Sequence, residues 1–481
     1  MSGLIRLEKL GKPGVYLVTD NFGEDARLSA EDNLMPKIRV VTVPAKDYYM
    51  KRISREQVKP VAEGAFDAII VALTKPLTAE ESHPATKHVK TDGTMKVTAE
   101  TYEAALEKFN QLFLDNHWGS GLPLIPPTAE RVKWMLKGTS RSPKEVIGTV
   151  PPKNGIATIE KIAVNAVMAG ARPEYLPVII AAMEAVADKK FDLFHMQTST
   201  GSFSLLIQVN GPIAKEIEMQ SGIGFLGYGW RANNTIGHAV RLSLINLGHV
   251  WPGENDMGLI GRPSSHTFFT YSENESLSPW EPFHVSLGYK PEDSCVTVAT
   301  MNAYTNLGSI TTFGGGAVLT WNVDSVFKRM IDFMKQDRAF MTIWKRGSAI
   351  SSPRRNSFFI PPELAIELDR RGYTKKKLQQ YFYEQTSIPY EQLTPKEIES
   401  VKRRIDAGEI SADRIPVFKD ALKPGGKIPL IDRPEDNDFI VTGGFPAYVF
   451  GTFYFSRPLY SELSIMTKKV TGATLTKSGR K

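Results

Sequence analysis

Two short β-branched runs near the start of the chain, GVYLVTD around residues 15–19 and IRVVTV at 38–43, flank a helix-like stretch, Phe22–Leu34. Another such stretch, Arg55–Leu73, follows. Alternating strands and helices predict parallel pairing, because a crossover helix returns the chain to the same end of the sheet. Parallel strands in stable sheets are covered on both faces, and two of them make an incomplete sheet. The pattern predicts half of a doubly wound α/β unit, with the other half supplied from elsewhere.

Downstream, a polar stretch leads to an amphipathic helix in which Tyr102, Ala105, Leu106, Phe109, Leu112 and Phe113 recur at helical spacing. The helix stops at Asn116-His117-Trp118-Gly119, before the loop GLPLIPPT, and Thr128 is placed to cap the next helix. Two helical patterns flank Arg172-Pro173: Ile162, Ala163, Ala166 and Val167 on one, Leu176, Ile179, Ile180 and Met183 on the other. SLLIQV (204–209), FFTYS, VTVATM, AVLTW, DFIVTGG and YVFGTFYF read as strands, and Arg231–Leu247 as a helix. No sequence repeat emerges.

The fold class predicted is α/β: an incomplete doubly wound N-terminal unit, then a large mixed α/β domain with a helical insertion. The expected boundaries are 1–80 for the partial unit, 81–98 for a connector and 99–350 for the main domain. The insertion then covers 351–425, and the terminal strands and basic tail 426–481.

At 42% hydrophobic and 23% charged, the 481 residues have the balance of a globular protein, which excludes disorder or coiled coil as a description of the whole. No apolar run reaches the roughly 18–20 residues of a membrane span. The opening MSGLIRLEKLGKPG places charges where a signal peptide needs apolar residues. A cytoplasmic protein without membrane association is expected. The net charge of +7 could suggest nucleic acid, but Lys468, Lys469, Lys477, Arg480 and Lys481 supply five of those charges from the terminal TKKVTGATLTKSGRK. The remainder is nearly balanced, so no nucleic-acid partner is expected. The single cysteine, Cys295, excludes an internal disulfide, a cysteine-based zinc site and a CxxC pair.

Gly222, Gly224 and Gly227 spell GxGxxG, yet the preceding PIAKEIEMQ looks helical and Glu254 lies 27 residues past Gly227. Dinucleotide binding needs a strand before the loop and an acid about 20 residues after it. A weaker anion site remains, with Arg231, Asn233 and Asn234 opening a helix after the glycine loop as substrate-binding candidates. His195, in FHMQTSTGSF beside Gln197, Thr198, Ser199 and Thr200, is the acid–base candidate, with Thr198 steadying the proton. Lys153 and Asn154, in PPKNG, are further lining candidates. His83/His88 and His249/Glu254/Asp256 are the nearest approaches to metal spacing, and no HExxH or GxSxG occurs, so neither a metal nor a serine-hydrolase elbow is expected. Gly314-Gly315-Gly316 and Gly443-Gly444 read equally well as ordinary turns or as points of close approach to a ligand.

Several longer stretches carry a family likeness: NHWGSGLPLIPPTAERVKWML, VIGTVPP, ATIEKIAVNAVMAGARPEYLPVIIAAMEA, GWRANNTIGHAVRL and ENESLSPWEPF. The chain resembles the UGSC family, named for a selenocysteine- or cysteine-Gly-Ser-Cys motif. The likeness extends through LEKLGKPGVYLVTDNF and ALTKPLTAEE, which look like the later part of the UGSC domain, and spans roughly residues 5 to 285. The naming motif is absent, and Cys295, in EDSCVTV, does not resemble it. The resemblance implies that a small partner subunit carries the reactive Cys or Sec and completes the 1–80 unit, giving a hetero-oligomer. It also implies an oxidoreductase, lyase or transferase built on a nucleophilic thiolate or selenolate. No cofactor is expected within this chain.

The leading expectation is therefore the large subunit of a heteromeric thiol- or selenol-dependent oxidoreductase acting on a small polar or anionic molecule. Two alternatives stand beside it. One is a non-redox lyase or hydrolase using His195 and carboxylates such as Glu273. The other is a non-catalytic scaffold subunit.

Overall fold

The computed structural model describes residues 11–20, 37–44, 54–78, 93–262, 266–301, 354–408, 412–431, 433–444 and 465–474, isolated positions between them, and the backbone of further segments at 303–306, 311–313, 319–321, 323–344 and 451–456. His83, His88, Gly314–Gly316 and the last charged residues of the tail lie outside the described residues, as does most of the expected helix at 22–34. Helices and mixed sheets together make an α/β protein. Among the described residues no helix is long and apolar enough to cross a membrane.

Strands β1 (Tyr16–Thr19) and β2 (Val40–Val43) pair in parallel, Tyr16 opposite Val40 through Thr19 opposite Val43. They form a sheet of two, and no residue of either strand is buried. Helix α1 (Arg55–Thr74) opens with a capping box, Ser54 with Gln57, and lies against β2. Its Val61, Ala65, Ile69 and Ala72 are buried or half-buried, whereas Val58, Phe66, Ile70 and Leu73, on another stripe, are exposed, Phe66 to 60%. The helix thus has two apolar faces and covers one.

The remainder builds the hydrophobic cores. Helices α2 (Tyr102–Asp115) and α3 (Ala129–Leu136) precede the hairpin of β3 (Val146–Val150) and β4 (Gly155–Thr158). Thr128 caps α3 by accepting from the Arg131 amide. Helices α4 (Ile159–Met168) and α5 (Leu176–Ala187) follow. α5 is apolar all round and buried at ten of its positions, and it packs on strands of the central sheet. Short helix α6 (Leu193–Thr198), strand β5 (Ser204–Asn210), α7 (Pro212–Glu216) and the long α8 (Arg231–Gly248) lead to β6 (Phe269–Ser272). After α9 (Phe283–Ser286) come β7 (Cys295–Met301), β8 (Ala303–Asn306) and a small hairpin, β9 (Thr311–Phe313) with β10 (Leu319–Trp321).

The later part runs through α10 (Val323–Trp344), β11 (Arg354–Ile360), α11 (Pro362–Arg370) and α12 (Lys375–Thr386). Next are β12 (Ile388–Pro389), α13 (Pro395–Asp406), α14 (Ile415–Ala421) and β13 (Lys427–Ile428), which pairs with β12. Three strands close the chain: β14 (Asn437–Val441), β15 (Gly451–Ser456) and β16 (Ile465–Lys469).

Two four-stranded sheets result, and their wiring is the same. In one, β6 runs parallel to β5, β5 antiparallel to β7 and β7 antiparallel to β16. In the other, β14 runs parallel to β11, β11 antiparallel to β15 and β15 antiparallel to β8. Each half therefore contributes three strands to its own sheet and sends the fourth, β8 or β16, into the other. Sequence inspection finds no repeat because the shared feature is strand order, while the crossovers differ in length and residue type. Segment 351–425 holds β11 and the helices that carry the chain from it to β14, as α7 and α8 carry it from β5 to β6.

Candidate functional site

Three loops meet beside α8. The first, 117–121, ends α2: His117 takes the left-handed conformation (φ 59°), and the amides of Trp118 and Gly119 both return to the Phe113 carbonyl. One side of this turn lines a cleft of about 350 Å³ together with Leu106 and Asn110 of α2. The second loop runs from α6 to Phe203, and the third is 249–268. Arg262, 7% exposed, joins the last two. Its guanidinium takes both oxygens of Asp256 and donates to the carbonyls of Gln197 (2.7 Å), Ser199 (3.1 Å), Gly201 (3.1 Å) and Phe203 (3.3 Å). The third loop reaches the first through His117, which stacks on Trp251 at 4.1 Å and pairs with Glu254 at 2.8 Å.

Gly237 sets the approach of the third loop to α8. A Cβ there would stand 1.7 Å from the Thr267 carbonyl oxygen, so the loop can lie against the helix only where a side chain is missing. His238 follows at once, and its Nε2 is 2.8 Å from Ser120 Oγ. Arg241, one turn on, lies with its guanidinium carbon 4.1 Å over the Phe268 ring. Burial, with His266 and Arg241 nearby adding to it, holds the His238 imidazole down to about 4. Burial likewise lowers Arg241 to about 9, against the opposing pull of Asp256.

His195 sits on α6, where Asp192 accepts from its backbone amide and holds Nδ1 at 2.8 and 2.9 Å. A carboxylate on one ring nitrogen orients the ring, a feature that acid–base histidines share. Thr198 Oγ1 donates back to the Phe194 carbonyl at 2.9 Å. Lys153 and Asn154 stand in the turn between β3 and β4. The Lys153 amide donates to Gly248 O, Asn154 Nδ2 to Pro152 O, and Gln197 Nε2, from the His195 helix, to Pro151 O at 2.6 Å. Gln197 thus ties the helix of His195 and Thr198 to the turn that precedes Lys153 and Asn154.

The Arg231 group is arranged differently. Arg231 is exposed and donates to Gly170 O at 3.0 Å. Asn233 is buried. Its Nδ2 donates to the Gln220 and Phe225 carbonyls and its Oδ1 accepts from the Gln220 amide, all within 3.0 Å. Asn234 donates to Gly227 O and Trp230 O. The two asparagines staple the glycine loop to α8. They spend on backbone groups the donors an anion would need.

Glu273 stands at the end of β6 in a buried chain of hydrogen bonds. Tyr271 Oη donates to Gln208 Oε1 (2.7 Å) and Gln208 Nε2 to Asn210 Oδ1 (2.8 Å). Asn210 Nδ2 donates to Glu273 Oε2 (2.7 Å) and Glu275 Oε1 (2.8 Å). The Phe283 amide also donates to Glu273 Oε2. Burial raises the Glu273 carboxyl above its ordinary range, with Lys375 and these donors working against the shift and Glu275 adding to it. His284, fully buried nearby, has Glu275 Oε1 3.8 Å from Nδ1. This chain belongs to the junction between the sheets, where the Asn274 amide meets Val441 O.

Cys295 is buried at the start of β7, and burial pushes its thiol up to about 11, the opposite of what a reactive thiolate needs. The tail lysines of β16 are taken up internally, Lys468 by Asp188 (2.6 Å) and Lys469 by Asp293 (2.5 Å). Among the described residues no three His, Cys, Asp or Glu side chains converge as metal ligands.

Residue patterns alone passed over Ser120, Asp192, His238, Arg241 and Arg262, and considered Asp256 only for its metal-like spacing. The signal for two of them was present: in Arg231–Leu247, His238 and Arg241 fall among Ile236, Ala239, Val240 and Leu244 on the apolar side of the helix. No family model matches the chain, and neither curated proteins nor solved structures include a significant match.

Proposed function

We propose that this chain is the large, cytoplasmic subunit of a heteromeric thiol- or selenol-dependent oxidoreductase, related to the UGSC family, that acts on a small polar or anionic molecule. The observation that carries the reading is the open N-terminal unit. Two parallel strands with no buried residue, and a helix showing Val58, Phe66, Ile70 and Leu73 to solvent, are what half of a doubly wound domain would leave uncovered. A small partner bearing the reactive Cys or Sec completes it. Cys295 supports the same division of labour, because a buried thiol held up at about 11 is a poor nucleophile and leaves the reactive group to another chain. Within this chain the Asp192–His195 pair holds and moves a proton, with Lys153 and Asn154 in the turn joined to its helix through Gln197.

Native mass spectrometry of the protein purified without oxygen from its own host tests the reading. A small co-purifying chain with Cys or Sec is the expected result, and Phe66→Glu should abolish it while leaving this chain folded. A bare homo-oligomer, free of partner and selenium, would overturn the thiol mechanism. A non-redox lyase or hydrolase is the second reading, favoured by the completeness of the Asp192–His195 and Glu254–His117 pairs within this chain. Turnover by this chain alone, unaffected by thiol alkylation, would select it.

A further inference from the structure

We propose that Ser120 is a nucleophile activated by His238, and that the pair cleaves a neutral ester with a small apolar acyl group. Neither the partner subunit nor a thiol enters the inference, which goes beyond the reading above by assigning this chain an acyl-transfer activity of its own. Geometry is the first argument. Ser120 Oγ stands 2.8 Å from His238 Nε2, within the reach that a nucleophile and its base need. The hydroxyl is half-exposed and the imidazole 7% exposed, so the oxygen is open to a reactant while its partner ring lies within the fold. Burial, with Arg241 and His266 near it, keeps that ring uncharged at neutral pH and able to accept the Ser120 proton.

The turn that presents Ser120 supplies the second argument. The amides of Trp118 and Gly119 both return to the Phe113 carbonyl, and His117 is stacked on Trp251 and paired with Glu254, so the turn is held on each side. A Cβ at Gly121 (φ 88°) would meet nothing within 4 Å, which leaves room for a reacting carbonyl beside the hydroxyl. Among the described residues nothing accepts from the amides of Gly121 and Leu122, the two donors that follow the nucleophile, and a developing oxyanion can take them. Gly121 and Leu122 also line the cleft of about 350 Å³, where Leu106 and Leu124 suit an apolar acyl group and Glu103 and Glu107 disfavour an anion. Gly119-Ser120-Gly121 is no GxSxG elbow, because it follows a helix and draws its base from 118 positions away.

The chemistry balances without a redox partner. Ser120 Oγ bonds to the ester carbonyl carbon and passes its proton to His238 Nε2. The bond from that carbon to the alcohol oxygen then breaks, and the alkoxide takes the proton. Water, deprotonated by the same nitrogen, releases the acid from the acyl-serine, and the proton returns to Oγ.

The test uses the full chain and two probes, an alkyl fluorophosphonate and p-nitrophenyl butyrate. Peptide mapping by mass spectrometry should find the phosphonate on Ser120, and Ser120→Ala should lose both the label and turnover of the ester. His238→Gln should slow labelling about 100- to 10,000-fold, the usual contribution of a positioned base. Wild-type labelling should hold its rate from neutral pH to about 5 and fall only in more acid solution, because the base titrates at about 4. That profile carries the test if His238→Gln does not fold. Three outcomes overturn the proposal: no label on Ser120, labelling of His238→Gln at the wild-type rate, or a wild-type rate that falls at the ordinary histidine value of about 6.5. Label on Ser120 supports it whether or not a small subunit co-purifies.

Discussion

The two halves of the molecule have the same strand order and place their polar residues at opposite ends of it. In the first half the parallel ladder ends with Val209 opposite Ser272, and the next residues are Asn210 and Glu273, the start of the buried hydrogen-bond chain. In the second half it ends with Ile360 opposite Val441, and the next residues are Pro361 and Thr442. There the buried polar side chains stand where the strands begin: Asn356 against Asn437 at 3.0 Å, and Ser357 against Asp438. Ligand sites in open α/β sheets lie beyond the carboxyl ends of the strands. The crossovers repeat the contrast. That of the first half carries His238 and Arg241, with Ser120 bonded to His238 from the loop after α2, while α11 and α12 of the second bury Leu364, Leu368, Leu378 and Phe382 against Phe358 and Phe439. A shared topology thus keeps the strands together in both halves, while among the described residues the two halves differ in where their buried polar side chains gather.

If that contrast is sound, the first half is the more sensitive to loss of a single polar side chain. Arg262→Ala should cost about 3–5 kcal/mol, since it leaves the half-buried Asp256 without its ion-pair partner and four carbonyls without a donor. Chemical denaturation checks it, and a cost near zero would break the comparison. In the second half Asn356→Ala should cost about 1–3 kcal/mol by the same method, the penalty of one stranded buried amide.

Glu273→Gln should change the pH dependence of stability. Its carboxyl is raised in the folded protein, so its contribution is fully present below the ordinary carboxylate value near 4.5 and is lost as pH rises through the folded value. The variant should lack that decline, and thermal melts from acid to neutral pH would show it; parallel curves for both proteins would place Glu273 outside the titration. The smallest effect belongs to Lys468→Ala, about 0–1 kcal/mol, because the Asp188 pair it breaks is partly exposed. Melts in low and high salt measure it, and a salt-independent loss would contradict a screened pair.

Most elements were legible in the sequence. The β-branched runs at 16–19, 40–43, 204–209 and 296–301 became strands, and the first two pair in parallel as their order required. The helix over 102–115 follows from its 3.6-residue period and the Thr101 cap. The His195 neighbourhood was legible in part: its density of hydroxyl side chains marked the loop, while Asp192 three residues earlier went unnoticed as its partner. At Asn233 and Asn234 the residue types suited an anion, and tertiary contacts with the carbonyls of 220–230 took the donors instead.

By itself the sequence determined what is local: where strands and helices lie and how helices are capped. Propensity, periodicity and capping act over a few residues, so each can be read in a short window. The tertiary structure alone decided which distant residues meet. It exchanged β8 and β16 between sheets, brought Ser120 to His238 across 118 positions and set the Arg262 guanidinium among carbonyls more than fifty residues away. Those choices depend on burying apolar surface while satisfying every buried donor, a balance struck over the whole molecule.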